Sequence, residues 1–379
     1  MQTDRPRRPL LHAAVSPAAR ALPAWREWNR RIDLASERID VGSYRLLPKV
    51  YRNLRSHLAG DPLLARLEGL YKRSWYTNQL AFEACASIVA ALQAAGIEPL
   101  LLKGCPLALR YYADAGARPM NDIDLLVPAA DAMAAAKVLA SAGWSPGQAS
   151  ELSPSTLAHS HAHGFRREQG VELDLHWHLL YFCQDEHTSQ RFREAAVPMQ
   201  LNRVGTKTLC SADHLLAACM HGLMWDDVPP MRWIVDALLV IASAEHPVDW
   251  TRVLELGRAC RGSLQLHAGL GYLCERFDAP VPDFVLEELA NTPTTRLERE
   301  LYAALTRGGN WRNARLLWLG YQARQEANGQ AWELADFLEH LRVANDHRTR
   351  WQTLRWAGSR ALARIARQAW PQREDSGGT

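Results

Sequence analysis

The chain has 379 residues, 47% hydrophobic and 22% charged, which is enough for two or three domains with filled cores. A formal net charge of +3 over that length gives no electrostatic case for nucleic-acid binding, and seven scattered cysteines without a C-x-x-C pair argue against a disulfide framework or a zinc site. No apolar stretch follows Arg5, Arg7 and Arg8 as in a signal peptide, and no run approaches the roughly 20 apolar residues of a spanning helix, so a soluble, cytoplasmic protein is expected.

Residues 1 to 30 read as irregular, punctuated by Pro6, Pro9, Pro17 and Pro23 in a basic segment. Apolar residues then recur at helical spacing from Leu34 to Leu70, interrupted by Gly42, Gly60 and Pro62. A longer helix is expected from Ser74 to Ala95, stopped by Gly96. Pro99–Leu102 reads as a strand, Cys105–Tyr112 as a helix, and Asp122–Val127 as a second strand ended by Pro128. Asp131 is placed to cap the alanine-rich helix that runs to Gly143-Trp144.

From His159 to Leu180, two alternating runs flank Glu168-Gln169-Gly170, which predicts a hairpin. Its second strand puts Val171, Leu173, Leu175 and Trp177 on one face and Glu172, Asp174, His176 and His178 on the other. Beyond Leu209 the signals are helical: one helix from Ser211 carries His214 and His221, another after Pro229-Pro230 carries Arg232 and Asp236. The end is basic and amphipathic, with Trp351, Leu354, Gly358, Leu362, Ile365 and Ala369 on one stripe, and Glu374–Thr379 is expected to be disordered. Such a tail offers either a peripheral contact to an anionic membrane or a protein partner, or simply the last helix with an arginine-rich solvent face. The division is therefore 1–73, irregular and helical; 74–208, a sheet-and-helix core; 209–345, a helical domain; and 346–379, a basic tail. The fold class is α+β, a small mixed sheet with flanking helices followed by an all-α domain.

The chemistry concentrates in PLLLKGCPLALRYYADAGARPMNDIDLLV, residues 99–127. Asp122 and Asp124, one residue apart on a strand, project from the same face and can supply oxygen ligands to Mg²⁺. Two metal ions would want a third carboxylate from a neighbouring strand, and Asp174 on the polar hairpin face is the candidate. Lys103 and Gly104 open a helix, where backbone N–H groups and a point charge attract phosphate. Arg118 can fork onto phosphate oxygens, or pair structurally with Asp114 or Glu172. His163 and His176 are candidate substrate contacts; whether His159, His161 and His163 share the Asp174 face depends on the hairpin loop, since a three-residue loop turns them away. His214 and His221 read as structural, as does Asp236 paired with Arg232 one turn away.

Through LLKG, YY-x-D-x-G-x-RPMNDIDLLV and GVELDLHWHL, and more loosely through His221 and RWIVDALLV, the chain resembles an uncharacterised bacterial nucleotidyltransferase family of the DNA polymerase β-like superfamily, over about residues 75–245. In that superfamily glycine is usually followed by serine or glycine at the first motif; here Lys103-Gly104-Cys105 stands in its place. The resemblance implies two Mg²⁺ ions on Asp122 and Asp124, with Asp174 completing the site and helping to deprotonate an acceptor hydroxyl. It implies an NTP whose triphosphate is held by Lys103, Gly104 and Arg118. It further implies transfer of an NMP to a small-molecule, sugar or peptide acceptor in a biosynthetic pathway, rather than to nucleic acid. Two rivals are nucleotidylation of a protein side chain, as in antitoxin-type relatives, and a non-catalytic nucleotide- or partner-binding scaffold.

Overall fold

The computed structural model describes residues 7–32, 39–148, 151–167, 170–223, 231–306 and 314–369, the last ten without their side chains. Seven strands are named in chain order: β1 Leu100–Leu102, β2 Asp122–Leu126, β3 Ser145–Pro146, β4 Ala162–Arg166, β5 Glu172–His176, β6 Val197–Leu201 and β7 Val204–Thr208. They form one mixed sheet in the order β3-β4-β5-β2-β1-β7-β6. At its centre β2 runs antiparallel to β1 and parallel to β5, and β1 runs parallel to β7. With helices on both sides and a helical region after the sheet, the class is α+β.

Alternation along the central strands gives the sheet two different faces. On one, Leu101, Ile123, Leu125, Leu173 and Leu175 pack into a core with Phe82, Cys85, Val89 and Leu92 of helix Leu64–Ala94. Leu139 of helix Ala132–Ser141 closes the same core. On the other face Leu100, Leu102 and Leu126 join a larger core with Leu215 and Leu216 of helix Ser211–Gly222 and Val235 of helix Arg232–Ile241. Asp122, Asp124, Asp174 and His176 occupy the even-numbered positions of their strands, and so share this second face. The acids are thereby aimed at the helical region and not at the long helix behind the sheet.

The N-terminal stretch read as irregular is helical. Arg8–Val15 has its proline in the first turn, and Ala18–Asn29 follows Pro17 and contains Pro23. A proline in the first turn forgoes only a bond that a helix start leaves unmade. Leu10, Leu11, Trp25 and Trp28, all fully buried, anchor both helices in the larger core. Helix Ala132–Ser141 ends as expected at Gly143 (φ +83°), with Trp144 N–H donating to the Leu139 carbonyl at 3.0 Å. Asp131, however, makes no side-chain cap: it lies in a turn of 3₁₀ helix, Ala129–Asp131, with helical φ/ψ.

The C-terminal helices Ala314–Ala327 and Leu334–Ala344 clasp the short helix Pro154–His159 that leads into β4. Arg324 hydrogen-bonds the Ala158 carbonyl, His159 Nδ1 (2.8 Å) and Asp336 (2.9 Å), while Glu339 accepts from the Ser155 hydroxyl. In the last helix, Arg350–Ala369, Trp351 and Leu354 of the expected stripe are exposed. Leu362, Ile365 and Ala369 fall among the side chains not described, and Glu374–Thr379 and the turn residues Glu168 and Gln169 lie outside the described residues. No helix among the described residues is long and apolar enough to cross a membrane.

Candidate active site

The turn leaving β1 places the first group. Lys103 adopts φ +44° and ψ −98°, a conformation that costs a side-chain-bearing residue of order 1–3 kcal/mol and persists only where the surroundings enforce it. The chain then enters a helical turn, Gly104–Pro106, that widens to π geometry over Leu107–Tyr111. The elbow points Lys103 back over the sheet, where its Nζ lies 2.7 Å from Asp124 Oδ1. Gly104 eases a close approach: a Cβ there would lie 3.0 Å from the Met120 sulfur, which would have to give way.

The acid edge follows from strand register. Asp124 and Asp174 are direct partners across the parallel β2–β5 pair, as are Asp122 and Glu172, so the two carboxylates sit side by side on neighbouring strands. His176, two residues after Asp174, puts Nε2 3.1 Å from Asp124 Oδ1. One ligand atom from each of Asp124, Asp174 and His176 lies within 4.8 Å of the others. Asp122 lines the same cavity but stands outside that close group. Across β4–β5, the residue opposite Asp174 is Gly164, where a Cβ would come within 3.3 Å of the carboxylate.

The electrostatics distinguish the two acids. Burial by itself would raise the Asp124 carboxyl, but Lys103 and His176 overcome it and hold the group ionised far below the usual range. Asp174 is pushed up by burial and by the neighbouring Asp124 and Asp122 carboxylates, against the opposing pull of His176 and Lys103. Lys103 is buried too, which works to lower it, yet Asp124 reverses the sign and keeps it cationic.

These groups form one wall of a cavity of about 600 Å³. The wall opposite comes from the helical region, with His214, His221 and Arg232, and from the N-terminal region, with Gly42 and Arg45. His221, read from the sequence as structural, is exposed to this cavity, and burial together with the Lys103 charge pulls its imidazole pKa down. A signal for it existed: His214 and His221 are seven residues apart, which places them on one helical face. His214 is fully enclosed and bonds the Thr208 hydroxyl at 3.1 Å. Arg45 carries no local signal, because only the chain fold brings residue 45 to residue 103.

The histidine run does not behave as one strand face. His159 closes the short helix Pro154–His159 and is bound to Arg324. His163 pairs with Leu175, and so shares the apolar face of β5 and not the face of Asp174. The reason is register: Arg167 N–H donates to the Val171 carbonyl, leaving three residues in the loop. His163 nevertheless borders the cavity at its edge. His161, just before β4, packs its ring edge-on to His176, centroids 5.4 Å apart.

Arg118 meets a partner that the sequence did not suggest. Its Nε and one terminal nitrogen each lie 2.9 Å from the Asp236 carboxylate, so the fork is spent on a buried bidentate pair and not on Asp114 or Glu172. Asp114 instead takes Arg52 and the Tyr71 hydroxyl. Nor does Asp236 pair with Arg232, whose Nη1 donates to the Pro119 carbonyl at 2.6 Å. Helical spacing predicted the i,i+4 pair; the loop 113–121, folded back against helix Arg232–Ile241, offered the carboxylate a better-aligned guanidinium.

Two carboxylates and an imidazole converging on one point are a donor set fit for a divalent cation, hard ions taking the oxygens and softer ones accepting the nitrogen. No curated protein matches the chain. A family model described as "uncharacterised nucleotidyltransferase" matches residues 28–278, which takes in the whole acid edge, the Lys103 elbow and the helices facing them. The chain belongs to this nucleotidyltransferase family.

Proposed function

We propose that the protein is a Mg²⁺-dependent enzyme that moves an NMP from an NTP to a hydroxyl of a small-molecule, sugar or peptide acceptor. The observation that carries this reading is the side-by-side register of Asp124 and Asp174, with His176 beside them, on the wall of a cavity large enough for a nucleotide. Asp122, Asp124 and Asp174 are the residues assigned to two Mg²⁺ ions, with His176 at the edge of the set. Metal bound there would neutralise the triphosphate and lower the pKa of the attacking hydroxyl. The protein's own part is positioning. Lys103 steers Asp124 through its Nζ contact, and His176 fixes the same oxygen from the other side. Gly164 leaves Asp174 open to the acceptor, whose oxygen bonds to the α-phosphorus while pyrophosphate departs and the proton passes towards Asp174. Lys103 and Gly104 lie where the phosphates would pass the elbow.

The test is label transfer. The protein is incubated with Mg²⁺, each α-labelled NTP and a cell extract, and label is followed into small-molecule and protein fractions. Transfer by wild type that falls at least a hundredfold in Asp124→Asn and Asp174→Asn supports the reading. Label in the protein fraction would replace the acceptor class with a protein side chain. Absence of transfer by wild type, or equal transfer by the doubly substituted Asp122→Ala, Asp124→Ala protein, would overturn it in favour of a non-catalytic scaffold.

A further inference from the structure

Two of the cations that the sequence suggests for gripping phosphate are already engaged. Lys103 is neutralised by Asp124 at 2.7 Å, and Arg118 is held by Asp236. The cavity has two more arginines, both from outside the sheet. Arg45 follows the single-turn helix Val41–Tyr44, lines the cavity half-buried, and its guanidinium has no hydrogen-bond or ion-pair partner among the described residues. Its backbone is not loose: Asp40 caps the turn by accepting from Ser43 N–H at 3.0 Å and from its hydroxyl at 2.7 Å. Ser43, Leu46 and Leu47 around it are buried. Arg232 begins helix Arg232–Ile241 and commits one nitrogen to the Pro119 carbonyl.

The two elements meet, since a Cβ on Gly42 would lie 3.7 Å from the sulfur of Met231. Arg45, Arg118 and Arg232 all line the cavity, and among the described residues Asp236 is the carboxylate that bears most on Arg118 and Arg232. Burial, reinforced by Arg118 and Arg45 and opposed by Asp236, draws the Arg232 pKa down to about 10. This is the signature of crowded cations that an anion would relieve. The acids Asp122, Asp124 and Asp174 line the same cavity.

We propose that Arg45 and Arg232 form the polyphosphate subsite of this cavity, binding the β- and γ-phosphates of the NTP while the α-phosphate lies at the acid edge. This rests on the nucleotidyl-transfer reading for the identity of the ligand, and on the cation geometry alone for its chemistry. Arg45 supplies an unengaged guanidinium and Arg232 a second from the facing helix. A phosphate chain between them would tie the N-terminal region to the helical one. Arg118 acts as the brace that keeps Arg232 turned to the cavity by occupying Asp236.

The test uses the full-length protein and inorganic tripolyphosphate, the part common to every NTP, titrated calorimetrically with Mg²⁺ present. Wild type should bind it. Arg45→Ala, which removes a half-exposed side chain without a partner among the described residues, should weaken binding at least tenfold, with Arg45→Lys in between. Arg232→Ala should do the same, and its circular dichroism spectrum shows whether it has folded. In the label-transfer assay Arg45→Ala should raise KM for NTP. No tripolyphosphate binding by wild type, or wild-type affinity in Arg45→Ala, overturns the assignment. Arg45-dependent binding without any label transfer upholds the subsite while the nucleotidyl-transfer reading fails. Transfer with an unchanged KM for NTP in Arg45→Ala does the reverse.

Discussion

Replacing Asp236 by alanine tests how the helical region is fastened to the loop that feeds the acid strand. The carboxylate accepts from Arg118 at 2.9 Å twice and from the Tyr112 hydroxyl at 2.8 Å. Arg118 and Asp236 are 3% and 5% exposed, so solvent compensates little for the lost partner. Burial opposes ionising the carboxyl, but Arg118 more than compensates, and Asp236 stays charged. Truncation leaves a buried guanidinium uncompensated, a loss of about 3–5 kcal/mol, with roughly 1 kcal/mol more for the stranded Tyr112 hydroxyl. Removing both members of the pair is different: Arg118→Met combined with Asp236→Leu fills similar volume and strands neither partner of the pair, although Arg232 loses a counter-charge, so part of the loss should be recovered. Urea denaturation followed by tryptophan fluorescence, with the m-value checked for constancy, reads the difference as a shift in midpoint. An Asp236→Ala protein within about 1 kcal/mol of wild type would refute the reasoning, as would a double variant no more stable than the single one.

Two further outcomes are expected. A Cβ on Gly222 would fall 2.0 Å from Cγ of Trp233, whereas one on Gly271, within helix Ser263–Phe277, meets nothing within 4 Å. Gly222→Ala should therefore cost about 3 kcal/mol and Gly271→Ala should gain roughly 0.5–1 kcal/mol from helix propensity; thermal melts showing the same sign for both would contradict this packing. Stability should also fall on acidification, because burial lowers both His214 and His340 to about 3. His214 faces Thr208, the Tyr111 ring, Arg110, Arg118 and Asp236, and His340 faces Arg324, His159, Tyr321 and Phe337. Each folded-state pKa lies below the ordinary value near 6.5, so below that pH the unfolded chain binds protons that the folded one does not. Stability is complete above about 6.5 and is lost as pH falls towards 3, by roughly 2 kcal/mol per histidine at pH 5. Urea midpoints at pH 7.5 and pH 5.0 check it, and a slope that His340→Leu leaves unchanged would count against the assignment.

Local pattern determined a good deal of this protein. Alternation in DIDLL and ELDLH put Asp122, Asp124, Asp174 and His176 on polar faces, because a strand has only two sides. Glycine at 96 and 143 marked two helix ends, because those positions need φ near +80°. The motif around Lys103 and Asp124 carried the family, which the match over residues 28–278 bears out. What the sequence left open was every relation that depends on register or on distance through space. Which way His163 faces turned on one residue of loop length, and the partner of Arg118 lay 118 residues away. The N-terminal prolines looked like breaks until tertiary burial of Trp25 and Trp28 showed that two helices accommodate them. Only the assembled structure set Arg45, His221 and Arg232 around the acid edge, since no periodicity along a chain encodes which distant helices will close over a sheet.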